Sequence, residues 1–213
     1  MSSHQKFVQA LATLPLVAIL RGLAPADALL IGKALASNDW QMIEVPLNSP
    51  EPLESISALS ETFPQALVGA GTVLTVAEVR DIYAAGGELV VSPNFNPAVV
   101  REAIRLGMVC LPGVMTASEA FGALEAGASG LKMFPAEMAS PAVVKALLAV
   151  LPAQTIMMPV GGISQDKMQA YLAAGAKGFG IGSGLYKPGI AASEIAAHAA
   201  SFKDAFHAAR DAL

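Results

Sequence analysis

Short apolar runs recur along the chain, and polar stretches with helical periodicity separate them. The runs read as strands at 16–20, 42–46, 67–70, 88–92, 108–111, 130–134, 156–160 and 178–181. They are near-continuously apolar, as strands covered on both faces are, rather than alternating like a half-exposed antiparallel sheet. Their starts lie 20 to 26 residues apart, room for one strand, one helix and two short loops. Eight such repeats predict an α/β chain folded as one closed (β/α)8 TIM barrel over residues 1–213, with an additional helix at the N-terminus. An open doubly wound sheet is the competing architecture. Its nucleotide fingerprint is missing from the first turn, Arg21-Gly-Leu-Ala-Pro25.

The segments between the runs carry helix punctuation. Thr75-Val-Ala-Glu78 and Thr116-Ala-Ser-Glu119 read as capping boxes, and Asn96-Pro97 and Ser140-Pro141 as a cap followed by proline at the first helical position. Gly86, Gly107, Gly127 and Gly175 stand where those helices should stop.

Composition narrows the class. Hydrophobic residues make up 54% of the 213, enough for a large core. Mean hydropathy is +0.54, yet no uninterrupted apolar run approaches the roughly 18 residues of a spanning helix. Lys6 and the apolar stretch after it loosely mimic a secretory signal, but Gln9, Thr13 and Pro15 interrupt it. Cys110 is the only cysteine, so no intramolecular disulfide forms, as suits a cytoplasmic protein. A net charge of −4 without a basic run argues against nucleic acid as a partner.

Nearly all charges fall in the helical segments or their flanks. Three do not: Arg21 ends the first run, Glu44 lies inside Met42-Ile-Glu-Val-Pro46, and Lys132 lies inside Gly130-Leu-Lys-Met-Phe134. Strand side chains alternate, so with Ile43, Val45, Leu131 and Met133 facing the helices, Glu44 and Lys132 face the interior. An unpaired buried charge costs several kcal/mol, so such residues are paired, neutralised or used. One reading is an internal salt bridge that merely fills the core. The other is covalent catalysis by an amine whose pKa is lowered by desolvation and by nearby Arg21, with Glu44 moving protons. His4, His198 and His207 all lie in the terminal segments, which disfavours a catalytic triad or a histidine-ligated metal at a barrel mouth. Val160-Gly161-Gly162 and Gly180-Ile-Gly182-Ser183-Gly184 follow the last two strands, where barrels often bind phosphate.

Several motifs together resemble a known family. Ala18-Ile-Leu-Arg-Gly22, Ile43-Glu-Val-Pro-Leu47, Val68-Gly-Ala-Gly-Thr72, Ser92-Pro-Asn94, Leu131-Lys-Met-Phe-Pro135 and Val160-Gly-Gly162 are similar, in matching order, to the 2-keto-3-deoxy-6-phosphogluconate/6-phosphogalactonate aldolases. The resemblance implies a class I aldolase, usually a homotrimer, that needs no metal or other cofactor and releases pyruvate and glyceraldehyde 3-phosphate. By position, Lys132 becomes the Schiff-base lysine and Glu44 the proton shuttle. Arg21 and Thr72 take the carboxylate, and Gly161, Gly162, Gly182 and Ser183 take the phosphate. Pro93 and Phe134, within the shared motifs, are expected to touch substrate. Val160 and Asn48 stand where the gluconate branch has threonine and arginine, and both look like the galactonate branch. The implied reaction is therefore cleavage of 2-dehydro-3-deoxy-6-phosphogalactonate. The gluconate epimer is the alternative substrate. A metal-free phosphosugar isomerase or epimerase and a non-catalytic phosphometabolite sensor are more distant readings.

Overall fold

The structure, a computed structural model, describes residues 1–213. Each of the eight apolar runs forms a strand: β1 (Leu16–Ile19), β2 (Met42–Pro46), β3 (Leu67–Gly71), β4 (Leu89–Val91), β5 (Val109–Leu111), β7 (Leu131–Met133), β8 (Met157–Pro159) and β9 (Phe179–Ile181). A further two-residue strand, β6 (Gly113–Val114), lies beyond Pro112. Helices α1 (Ser3–Thr13), α2 (Pro25–Ala36), α3 (Pro52–Thr62), α4 (Val76–Ala84), α5 (Pro97–Arg105), α6 (Ala117–Glu125), α7 (Pro141–Leu148), α8 (Met168–Ala173) and α9 (Ala192–Asp211) precede, separate and follow them. None is long and apolar enough to cross a membrane.

The strands do not close into the expected eight-stranded barrel. Six of them form one curled parallel half-barrel sheet in the order β5-β4-β3-β2-β1-β9, and β6-β7-β8 form a separate three-stranded sheet. Prolines lie at both seams. Pro112 has no N–H and divides what periodicity reads as one strand into β5, which pairs with β4, and β6, which pairs with β7. At the other seam β8 ends on Pro159, and the two sheets meet there through a single bridge, Val160 to Gly180. A Cβ on Gly180 would lie 2.7 Å from Val160 Cγ2, so even this bridge requires glycine.

Helix ends largely follow the sequence punctuation. Thr75 and Thr116 each accept a hydrogen bond from the backbone N–H of the glutamate three residues on, and that glutamate accepts one in return. Asn96 accepts from Ala98 N, whereas Ser140 makes no such bond and leaves Pro141 alone to start α7. Ser2 adds a capping box to α1.

Alternation along the strands sorts the apolar side chains into two bodies. Leu16, Ala18, Ile43, Val45, Val68, Ala70, Leu131 and Met133 pack outward under the helices. Val17, Met42, Leu67, Leu89, Val109 and Met158 point inward. Phe7 and Ala10 of α1 pack onto that inner set, so the N-terminal helix seals the interior at the end where the strands begin. Burying a phenylalanine there contributes about 1.5–3 kcal/mol. It also leaves the opposite end as the route by which a ligand reaches the interior.

Candidate active site

The inner apolar layer stops one step short of the strands' C-terminal ends. In the register across β1, β2 and β3, Val17, Met42 and Leu67 align, and two residues on Ile19, Glu44 and Gly69 align. Glu44 is thus the inward side chain immediately above the apolar layer. On the smaller sheet Lys132 pairs with Gly113 on one side and Met158 on the other. A cavity of roughly 200 Å³ opens above, lined by Glu44 and Lys132 together with Arg21, Phe134, Val160, Gly161, Gly162, Gly182 and Ser183. Nine of the eleven site residues expected from sequence therefore share one cavity wall. Thr72 and Pro93 do not line it.

Two of the ionisable groups in the wall are buried, Glu44 at 1% exposure and Lys132 at 7%. They make no direct ion pair, and Glu44 Oε2 has no hydrogen-bond partner at all. A core-filling salt bridge would need the contact that is missing here. Burial pushes the Glu44 carboxyl up to about 7, against the pull of the Lys132 and Arg21 cations. Burial also lowers the Lys132 amine from its ordinary value, with Glu44 opposing and Arg21 reinforcing. Each group is moved towards its uncharged form. The Lys132 Nζ lies 4.6 Å from the centre of the Phe134 ring, whose face steadies the ammonium when it is protonated.

The room for Glu44 comes from the neighbouring strand. A Cβ on Gly71 would lie 1.8 Å from Glu44 Oε2 and 2.3 Å from its Cδ. Alanine there would expel the carboxyl group from its position. The next residue, Thr72, holds φ at +60°, a left-handed conformation costly for a β-branched side chain and most often kept where function requires it.

Arg21 is exposed at the rim, and its Nη1 donates to Asn48 Oδ1 at 2.7 Å. Ser49 Oγ accepts from Gly22 N at 2.9 Å, so the loop after β2 fixes the loop after β1. No carboxylate engages Arg21, which leaves it free to take an anion. Sequence reasoning used Asn48 only as a branch marker and missed this positioning contact. It also passed over Glu137, which lines the same cavity from the turn after β7. The signal was available, since an acid lies two residues beyond Pro135, shortly after the lysine strand. His4 lies on α1, and His198 and His207 lie on α9.

A model of the "KDPG and KHG aldolase" family matches residues 8–199. A protein of Rhizobium meliloti (strain 1021), named "Probable 2-dehydro-3-deoxy-6-phosphogalactonate aldolase", is 48% identical over 182 residues, covering 85% of this chain and 86% of its own. The 2-dehydro-3-deoxy-6-phosphogalactonate aldolase of Escherichia coli (strain K12) is 42% identical over 197 residues, covering 92% and 96%. A solved structure described as "Native KDPGal structure" superposes with a TM-score of 0.91 at 42% identity, covering 93% of this chain and 97% of that one. With the matching fold and a pocket built from the shared motifs, this chain is an aldolase and belongs to the KDPG and KHG aldolase family.

Proposed function

We propose that the enzyme cleaves 2-dehydro-3-deoxy-6-phosphogalactonate to pyruvate and glyceraldehyde 3-phosphate through an imine on Lys132. The observation that carries this reading is a buried amine facing a buried carboxyl group with no salt bridge between them. The neutral amine adds to the C2 ketone, and the carbinolamine loses water as Glu44 supplies a proton to the departing hydroxyl. The iminium then draws in the electrons of the C3–C4 bond while the C4 hydroxyl gives its proton to the Glu44 carboxylate. The aldehyde leaves, the enamine regains a proton at C3, and water releases pyruvate and the free lysine.

Arg21, held by Asn48, takes the keto-acid carboxylate in this reading, with Thr72 as its second partner. Gly161, Gly162, Gly182 and Ser183 take the phosphate and Phe134 borders the substrate between the two ends, while Thr72 and Pro93, outside the cavity wall, enter this reading through the family resemblance alone. Val160 supports the galactonate epimer, because its side chain offers no hydroxyl to the C4 group. The names of the two curated relatives support the same choice. The assembly we propose is a cytoplasmic homotrimer, as the family resemblance suggests. Apolar side chains left open to solvent, such as Leu30 and Phe121, suit an interface. A sedimentation-equilibrium mass of a single chain at micromolar concentration would count against the trimer.

Three experiments test the reaction. Pyruvate with borohydride is expected to attach a stable pyruvyl mass to Lys132, and neither Lys132→Arg nor Lys132→Ala should gain it. Labelling at another residue would refute the imine assignment. Glu44→Gln is expected to lower kcat by about 10²- to 10⁴-fold. The wild-type kcat/KM should follow a bell-shaped pH profile with one limb near 7, because Glu44 must first donate a proton and then accept one.

The same substitution has an opposite effect on stability. The folded pKa of Glu44 lies above its ordinary 4.5, so the folded chain keeps a proton that the unfolded chain has already released. That contribution is complete below pH 4.5 and is lost as pH rises through about 7, by roughly 3 kcal/mol in total. The amide that Glu44→Gln introduces does not titrate, so urea melts at pH 8 should show the variant gaining on the wild type. Finally, a parallel assay of the two 6-phospho epimers should favour the galactonate. Val160→Thr should move the ratio towards the gluconate by about 1–3 kcal/mol. A strong wild-type preference for the gluconate epimer would overturn the substrate choice.

A further inference from the structure

Glu137 occupies the short 3-10 turn Ala136–Met138, and its carboxylate stands over the Gly161–Gly162 pair. A Cβ on Gly161 would lie 2.2 Å from Glu137 Oε2. One on Gly162 would lie 2.8 Å from its Cγ and 3.1 Å from Oε1. The two glycines also hold φ at +110° and +59°. The backbone angles are what call for glycine, while the space above the pair is taken by the flexible end of the acid.

The carboxylate is held there weakly. It makes no ion pair and accepts no hydrogen bond, and Lys167 of the adjoining hollow donates instead to Gly162 O at 2.7 Å. The backbone beneath it is well anchored: Ala136 N donates to Val160 O at 2.8 Å, and Ala136 O accepts from the Tyr171 hydroxyl at 3.1 Å. Glu137 itself is exposed, so its side chain can turn into solvent while the turn stays in place. A second anion arriving at the same glycines meets both its volume and its charge.

We propose that Glu137 acts as a competing anion at the phosphate end, a carboxylate that an incoming phosphate group must displace. Its negative charge weakens anion binding on Gly161 and Gly162 in the resting enzyme. This rests on the reading of those glycines as the phosphate site.

The test is calorimetric titration of inorganic phosphate into the wild type, Glu137→Gln and Glu137→Ala at one pH and ionic strength. Both variants are expected to bind phosphate more tightly, by up to about fivefold, the scale of a part-exposed charge interaction. A damaged fold does not tighten binding, so a gain in both cannot come from misfolding. An unchanged or weaker affinity would overturn the proposal, as would a gain confined to Glu137→Ala, which would leave bulk rather than charge responsible. If none of the three proteins binds phosphate, the phosphate site falls along with the proposal, while pyruvyl labelling of Lys132 still judges the imine chemistry separately.

Discussion

A carboxyl group and an amine share a water-poor interior here without touching, and most of the architecture around them serves that arrangement. Direct contact would lock both into an ion pair, with the lysine protonated and useless as a nucleophile. Full separation would leave two buried charges with nothing to offset their desolvation. The intermediate geometry moves Glu44 up and Lys132 down towards their uncharged forms, with Arg21 present as a third, exposed charge. Gly71 gives the carboxyl group its room, and the Phe134 ring gives the ammonium a soft resting surface.

The rest of the interior acts as a seal. Phe7 from α1 and the inward side chains Val17, Met42, Leu67, Leu89, Val109 and Met158 pack together at one end. The cavity lies at the other end, where the loops carry the rim groups. Division of the sheet into six and three strands places the two groups proposed to react on different sheets, Glu44 on the larger and Lys132 on the smaller. The seam at Val160 and Gly180 lies in the cavity wall itself, so the residue proposed to read the substrate's C4 configuration is also the one that joins the sheets.

The phosphate end is governed by a different balance. Its two glycines hold positive backbone angles beneath an acidic side chain, and the proposed anion must approach them past that acid. Reading Gly-Gly as a phosphate loop alone, as the motif invites, overlooks the acid standing above it.

Alternation along single strands was enough to turn Glu44 and Lys132 inward, because a period of two is a local property of extended backbone. Helix starts at Thr75, Asn96 and Thr116 were legible for the same reason, since a cap bonds to N–H groups two or three residues away. Closure of the sheet was not local, and the expectation of an eight-stranded barrel failed at the seams. The prolines at 112 and 159 each withhold one ladder hydrogen bond, and counting apolar runs gives no weight to a missing N–H. The distance between Glu44 and Lys132, the support of Arg21 by Asn48, and the placement of Glu137 over Gly161 likewise depend on residues from separate strands and loops meeting in space. The sequence by itself determined which groups are available and which way each faces along its own strand. Only the packed chain decided how far apart they stand, because that distance is set by register and side-chain volume between segments that never adjoin in sequence.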